Sequence, residues 1–247
     1  MKLLKVKGVV IKETQYKDND KILTLLTDEF GKISCIAKGA KKTNSSLLAP
    51  CQFLVCSEFV LYKGTTFYHI NSAEIIDTFY NLRIDYEKLE VAYEITKILS
   101  QTVGEGEDAK EILSLFLNTL YVIENKDIEK DLVISIFKLK LISLLGYMPD
   151  VVSCKECGQT MLDREKKNYY YSFIDNSSIC ENCYDKQMKE DNFTKQKSFV
   201  KLSQAVYFAL LYVISSIPKK VFNFSLEKSS LEEFKKFCDM LYTVLMQ

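Results

Sequence analysis

Four of the eight cysteines in this 247-residue chain are spaced as ligands: Cys154-x-x-Cys157 and Cys180-x-x-Cys183. A C-x-x-C turn brings two sulfurs to one side of a cation, and a second pair completes the tetrahedron that zinc favours. The 22 residues between the pairs slightly exceed the roughly 15–20 of the commonest ribbon spacing. Four thiolates leave no position for water, so the expectation is one structural Zn2+ rather than a catalytic one. The alternative is two surface disulfides or four free thiols. A second run, Lys38-Gly39-Ala40-Lys41-Lys42, leaves backbone uncovered between cations. A phosphate could then meet both amides and ammonium groups, a contact that carries affinity without base preference. Lys12, Lys17, Lys21 and Lys32 are candidates to extend the same surface. A solvated, lysine-rich loop is the competing interpretation.

Tyr16, Phe30, Tyr62, Phe67 and Tyr68 interleave with these cations. Rings on a barrel face can stack unpaired bases, although aromatics on strands more often serve the core or simply favour the extended backbone. Only Tyr16 and Tyr68 lie near the lysine-rich loops, and these two are the stacking candidates. His69 is the single histidine and reads as an ordinary strand residue. No nucleophile elbow, phosphate-cradling glycine loop or H-E-x-x-H occurs, so the sequence does not read as an enzyme. Cys35, Cys51, Cys56 and Cys238 are irregularly spaced among apolar residues and read as small buried hydrophobes. Tyr169-Tyr170-Tyr171-Ser172-Phe173 reads as packing beneath the second cysteine pair.

The elements that position these residues change character along the chain. Residues 1–80 suggest five strands: Leu3 to Lys12, Lys21 to Thr27, Ile33 to Lys38, Phe53 to Tyr62 and Thr65 to Ile76. A long connection follows the third, and Lys63-Gly64 marks a hairpin. Five short strands in this length suit a small Greek-key barrel such as the OB-fold. An SH3-like barrel fits the count almost as well. From about Tyr80 the apolar spacing becomes helical: Leu89, Ala92, Tyr93, Thr96, Leu99 and Val103 form one stripe, ended by Gly104 and Gly106. Asp108-x-x-Glu111 resembles a capping box before a helix over 112–123. A third helix runs from about Asp131 to Leu145, with Gly146 just past its end. The metal module occupies about 150–190, and two more helices follow, the first capped by Ser203. The expected fold is therefore α+β in two domains: residues 1–79 as the barrel that binds DNA, and 80–247 as a helical domain carrying the metal module.

Net charge is zero overall but uneven. Residues 1–80 hold 11 basic against 8 acidic residues, 81–150 hold 8 against 13, and 151–247 hold 14 against 12. A nonspecific nucleic-acid coat usually shows a larger excess, so any contact must be local. No stretch approaches the ~20 uncharged apolar residues needed to cross a bilayer, and the first residues alternate Lys with apolar side chains instead of forming a signal sequence. The expected location is the reducing cytoplasm, which favours metal over disulfide.

Several segments, in order, resemble the bacterial recombination and repair protein RecO family. They are Tyr16-Lys17-Asp18-Asn19-Asp20-Lys21, Leu25-Leu26-Thr27, Gly31-Lys32-Ile33, Ala37-Lys38-Gly39-Ala40-Lys41-Lys42 and Phe79-Tyr80-Asn81-Leu82-Arg83 with Ala92-Tyr93. Leu144-Leu145-Gly146-Tyr147-Met148-Pro149 then runs on to Cys154-x-x-Cys157-Gly158. The resemblance covers most of the chain. It implies an N-terminal OB-fold on a helical domain with the zinc module, and a non-enzymatic protein associated with the nucleoid. Its implied partners are single- and double-stranded DNA, RecR and single-strand-binding protein, and its implied work is annealing strands and loading RecA. Two stretches depart from the family pattern. Thr43-Asn44-Ser45-Ser46 stands where basic residues often continue, and Asn176-Ser177-Ser178 where glycines are common. A zinc-stabilised protein scaffold with no direct DNA role is the alternative function.

Overall fold

In a computed structural model, which describes residues 2–162, 168–190 and 199–246, the chain forms two compact units, 1–128 and 129–247. The first unit begins with β1 (Leu3–Tyr16), β2 (Asp20–Thr27), β3 (Gly31–Ala37), β4 (Cys56–Lys63) and β5 (Tyr68–Asp77). These close into a barrel in the order β1-β2-β3-β5-β4, with β3 and β5 parallel and the other pairs antiparallel. This Greek-key closure is the OB-fold arrangement. It decides between the two barrels that the strand count alone left open.

The period-2 pattern of each strand sets what faces inward. On β3, Gly31, Ile33, Cys35 and Ala37 are buried, while Lys32, Ser34 and Ile36 are only partly so. Leu23, Leu25, Phe59, Leu61 and Ile70 meet them in the barrel core. Ala40, Leu47 and Cys51 from the long β3–β4 connection join the same core. That connection is a chain of tight turns, with Lys42 N donating to Gly39 O, Ser45 N to Lys42 O and Leu48 N to Ser45 O. It returns beside β1 where the β1–β2 register slips after Val10. There Leu54 N donates to Val10 O at 2.8 Å and Val10 N to Val55 O at 3.2 Å.

Three helices complete the first unit: α1 (Tyr80–Ile84), α2 (Tyr86–Thr102) and α3 (Lys110–Asn125). α2 packs on β1 and α3 on β2. Val9 and Leu26 lie fully buried on these strands although neither belongs to the barrel-core cluster. The segment between α2 and α3 lies against the start of β3. Lys32 N donates to Gly104 O and Gly106 N to Phe30 O, both at 3.0 Å. Gly31 sits there at φ +60°, and a Cβ on it would fall 2.6 Å from Gly104 O, so only glycine fits. The expected capping box at Asp108 does not form. Ala109 is the N-cap, its amide is committed to Asp28 O, and Asp108 instead accepts from Lys110 N. α2 is capped conventionally, with Asp85 accepting from Lys88 N.

The second unit is built round α4 (Lys130–Ile142), buried from Leu132 to Ile142 apart from Lys138. A helix this apolar on all sides must lie within a core. Its one buried ammonium, Lys140, donates to Ile214 O at 2.9 Å. A π-helical turn, Ser143–Tyr147, ends α4 at Gly146 (φ +91°), the left-handed position expected there. β6 (Tyr169–Ser172), β7 (Ser177–Ile179), α5 (Glu181–Glu190) and β8 (Phe199–Leu202) follow, with sheet order β7-β6-β8. α6 (Gln204–Ser215), capped by Ser203 as expected, and α7 (Lys228–Met246) close the unit. Residues 163–167 of the expected metal module lie outside the described residues. No helix among the described residues is long and apolar enough to cross a membrane.

Candidate metal centre and nucleic-acid interface

The two cysteine pairs, far apart in sequence, converge. The sulfurs of Cys154, Cys157, Cys180 and Cys183 all lie within 4.8 Å of one another. Cys157 Sγ and Cys180 Sγ are 3.8 Å apart. A tetrahedron with metal–sulfur bonds of about 2.3 Å has edges of about 3.8 Å, so the spacing fits a bound cation. Local backbone sets the pairs. Gly158, at φ +71°, donates to Cys154 O and closes the first turn. Cys183 sits in the first turn of α5, where Tyr184 N donates to Cys180 O. Cys180 N donates to Cys154 Sγ at 3.3 Å, tying the two pairs together.

Burial opposes ionisation of Cys154, but amide donors from Cys180, Cys157 and Glu156 outweigh it and bring the thiol down to about 7. Cys180 and Cys183 move the other way, raised first by burial and also by Cys154 and Cys157, although Cys183 draws Cys180 back. A cation between the sulfurs would favour the thiolate at Cys180 and Cys183 despite their burial, which is the chemistry of a thiolate metal site.

The tyrosine run packs behind this centre, as expected. Tyr169 stacks on Tyr207 and Tyr170 on Tyr184, each pair 3.9 Å between centroids. Asn176 takes φ +49° in the β6–β7 turn, and its side chain accepts from Tyr171 Oη and donates to Tyr147 O. Asn tolerates the left-handed region better than most residues, so the missing glycine costs the turn little. The other four cysteines are free and buried. Burial pushes Cys51 to about 12 and Cys56 to about 11, and raises Cys35 and Cys238 as well.

On the barrel, the β1–β2 loop and the end of β3 form one cleft of about 460 Å³, lined by Lys17, Asp18, Asn19, Asp20, Lys38, Gly39 and Lys42. Three of the seven predicted lysines therefore meet there. Lys17 stands at φ +52°, with its ammonium 5.2 Å from the centre of the Tyr16 ring. Lys12 is exposed on β1 opposite Thr24. Lys21 is held by Glu13 at 2.6 Å and donates to Cys51 O. Lys32 donates to Ser100 O in the last turn of α2 at 2.6 Å. Neither of these two lines the cleft.

The expectation that backbone amides face a ligand is corrected. Gly39 N donates to Asp20 Oδ1, Lys41 N to Asn19 O and Lys42 N to Gly39 O. These amides are used in building the loop, which leaves ammonium groups as the cleft's cationic donors. Of the two expected stacking rings, Tyr68 packs against the barrel core and lies 6.3 Å from Phe30. His69, read as an ordinary strand residue, stacks on Tyr62 at 4.9 Å and 12°. Sequence alone gave no signal for that pair, because cross-strand register is not visible in it.

Comparison with known proteins matches residues 1–79 to the family model for the recombination protein O N-terminal region, and 83–246 to that for its C-terminal region. The DNA repair protein RecO of Acetivibrio thermocellus is 36% identical over 236 residues, covering 96% of this chain and 89% of that protein. RecO of Alkaliphilus metalliredigens is 34% identical over 182 residues, 74% of this chain and 72% of the relative. RecO of Clostridium novyi is 29% identical over 240 residues, 97% and 88% of the two chains. With both family regions matched in order along nearly its whole length, the chain belongs to the recombination protein O family of DNA repair and recombination proteins.

Proposed function

We propose that this chain is a non-enzymatic DNA-binding mediator of recombinational repair. It anneals complementary strands and, with RecR, helps load RecA onto single-stranded DNA coated by single-strand-binding protein. The observation that carries the reading is the lysine cleft at the β1–β2 loop of an OB-fold barrel, the loop through which such barrels engage oligonucleotides. Lys17, Lys38 and Lys42 neutralise phosphates there, with Lys41 next to Lys42 in the loop and Lys12 further along β1 extending the contact. Annealing requires phosphate repulsion between two strands to be screened while bases stay free to pair, and a local cationic cleft does this without condensing DNA. The barrel, residues 1–79, holds DNA, and residues 80–247 present partner surfaces. The protein works at the nucleoid in the cytoplasm.

Cys154, Cys157, Cys180 and Cys183 hold one Zn2+, whose role is to cross-link the loop at 154–158 to α5. The support is the all-sulfur donor set and the 3.8 Å edge. The test of function is annealing of complementary oligonucleotides precoated with the cognate single-strand-binding protein, without ATP. Acceleration that a cleft-lysine variant loses is the expected result. No acceleration at any salt concentration would favour a protein scaffold instead.

A further inference from the structure

The barrel closes between β3 and β5 through two residue pairs, Cys35 with Tyr68 and Ile36 with His69. β3 stops at Ala37 and the chain turns into the lysine loop, while the parallel β5 runs on to Asp77. Beyond His69, β5 pairs with β4 alone. Asn71 and Ile76 bulge out of that register, and Ser72–Ile75 between them is regular strand. Among the described residues, no backbone hydrogen bond reaches 72–75 from any segment but β4. Alternate amides and carbonyls of this strand therefore face away from its partner with nothing to bond. The start of β3, which β5 does not reach, is treated differently. The stretch 104–106 covers it, with Lys32 N donating to Gly104 O and Gly31 bridged to Glu105. No lysine or proline blunts residues 70–77, and an edge of this kind accepts another extended chain.

The side chains around the edge name its occupant. At the Asp77 end the strand borders a hollow of about 220 Å³, lined by Lys7, Ile76, Asp77, Phe79, Leu117 and Tyr121 among others. Ile76 and Tyr121 are exposed there. Ala73 packs against the barrel core, so Ser72 and Glu74 on either side of it turn outward. Glu74 lies across from Glu58, whose charge Lys5 meets at 2.7 Å. Glu74 itself makes no ion pair among the described residues, and Asp77 adds a second exposed carboxylate. Two copies joined β5 to β5 would crowd these like charges together, which opposes self-pairing. A phosphate backbone would meet the same repulsion. A basic chain would not. We infer that the free edge of β5 and its hollow dock an extended segment of another protein. The segment adds as a strand, sets a lysine or arginine beside Glu74 and places an aliphatic side chain in the hollow. This contact does not depend on DNA binding at the lysine cleft.

The probe is the fluorescein-labelled peptide Thr-Lys-Thr-Leu-Thr-Lys-Thr-Leu, titrated into the full chain and followed by anisotropy. It should bind about tenfold tighter than the same peptide with Glu in place of Lys. Serine in place of both leucines should weaken it about ten- to a hundredfold, the scale of one buried aliphatic side chain. Glu74→Lys, at an exposed position, should weaken the basic peptide about two- to 25-fold, one attractive charge pair being replaced by a repulsive one. Methylating one alternate set of the peptide's amides should abolish binding, and methylating the other set should not, because a strand bonds its neighbour along one edge. Hydrogen exchange should show the peptide protecting amides within 72–76. No binding at millimolar peptide, equal losses from both methylation patterns, or protection confined to other segments overturns the inference. Dimers of the chain with these amides protected in the absence of peptide would assign the edge to a second copy and overturn it too.

Discussion

Replacing Lys17, Lys38 and Lys42 together with Ala tests the cleft through its ionic signature and not through affinity alone. Each cation that neutralises a phosphate releases counterions, contributing about 0.7 to the slope of log K against log salt on single strands and about 0.9 on duplex. Three lysines line the cleft, so the variant's slope should be shallower by about 2.1 on single strands and about 2.7 on duplex. Across a fourfold salt range, 50 to 200 mM, the wild-type advantage should then shrink by about 20-fold on single strands and about 40-fold on duplex. The loss should be alike on every sequence, because phosphate contacts carry no base information. Fluorescence-anisotropy titrations of labelled oligonucleotides at four salt concentrations measure this directly. The cleft's own acids sharpen the test: Asp18→Asn removes an exposed repulsive charge and should raise affinity about two- to fivefold at low salt, the scale of one surface charge pair. Parallel salt lines for wild type and the folded triple variant would show that these lysines touch no phosphate, whatever the absolute affinities.

Lys32→Met should lower urea-unfolding stability by about 1.5–3 kcal/mol, the value of a hydrogen bond from a charged group, because its ammonium holds the α2 carbonyl of Ser100. The same variant should leave the DNA salt slope intact. Gly31→Ala should destabilise by at least about 1–2 kcal/mol through its left-handed φ and the 2.6 Å approach to Gly104 O, read as a shifted denaturant midpoint. Metal analysis should find one zinc per chain, and chelation should expose four thiols to an alkylating reagent at pH 8. Cys35, Cys51, Cys56 and Cys238 should stay unreactive until the protein unfolds, because burial raises every one of them above its ordinary value.

The sequence by itself determined whatever depends on local spacing. Period-2 and 3.6-residue patterns placed five strands and the main helices, and Gly146 and Ser203 marked their ends, because backbone preference acts over a few residues. The two C-x-x-C pairs marked the four sulfurs that converge within 4.8 Å of one another, since each turn prearranges its own two. The order of motifs identified the family. Capping at Asp108 was misjudged because a partner distant in sequence, Asp28 O, claims the Ala109 amide. For the same reason, of seven lysines that look alike in sequence, three line a cleft and two are held by Glu13 and Ser100. An ammonium group's availability depends on which carbonyl or carboxylate the fold brings to it. Register is likewise non-local: only closure of β5 between β3 and β4 aligns Ile36, His69 and Tyr62 on one face. Strand identity came from the chain's own periodicity, but which side chains share a surface was decided by pairing between residues tens of positions apart.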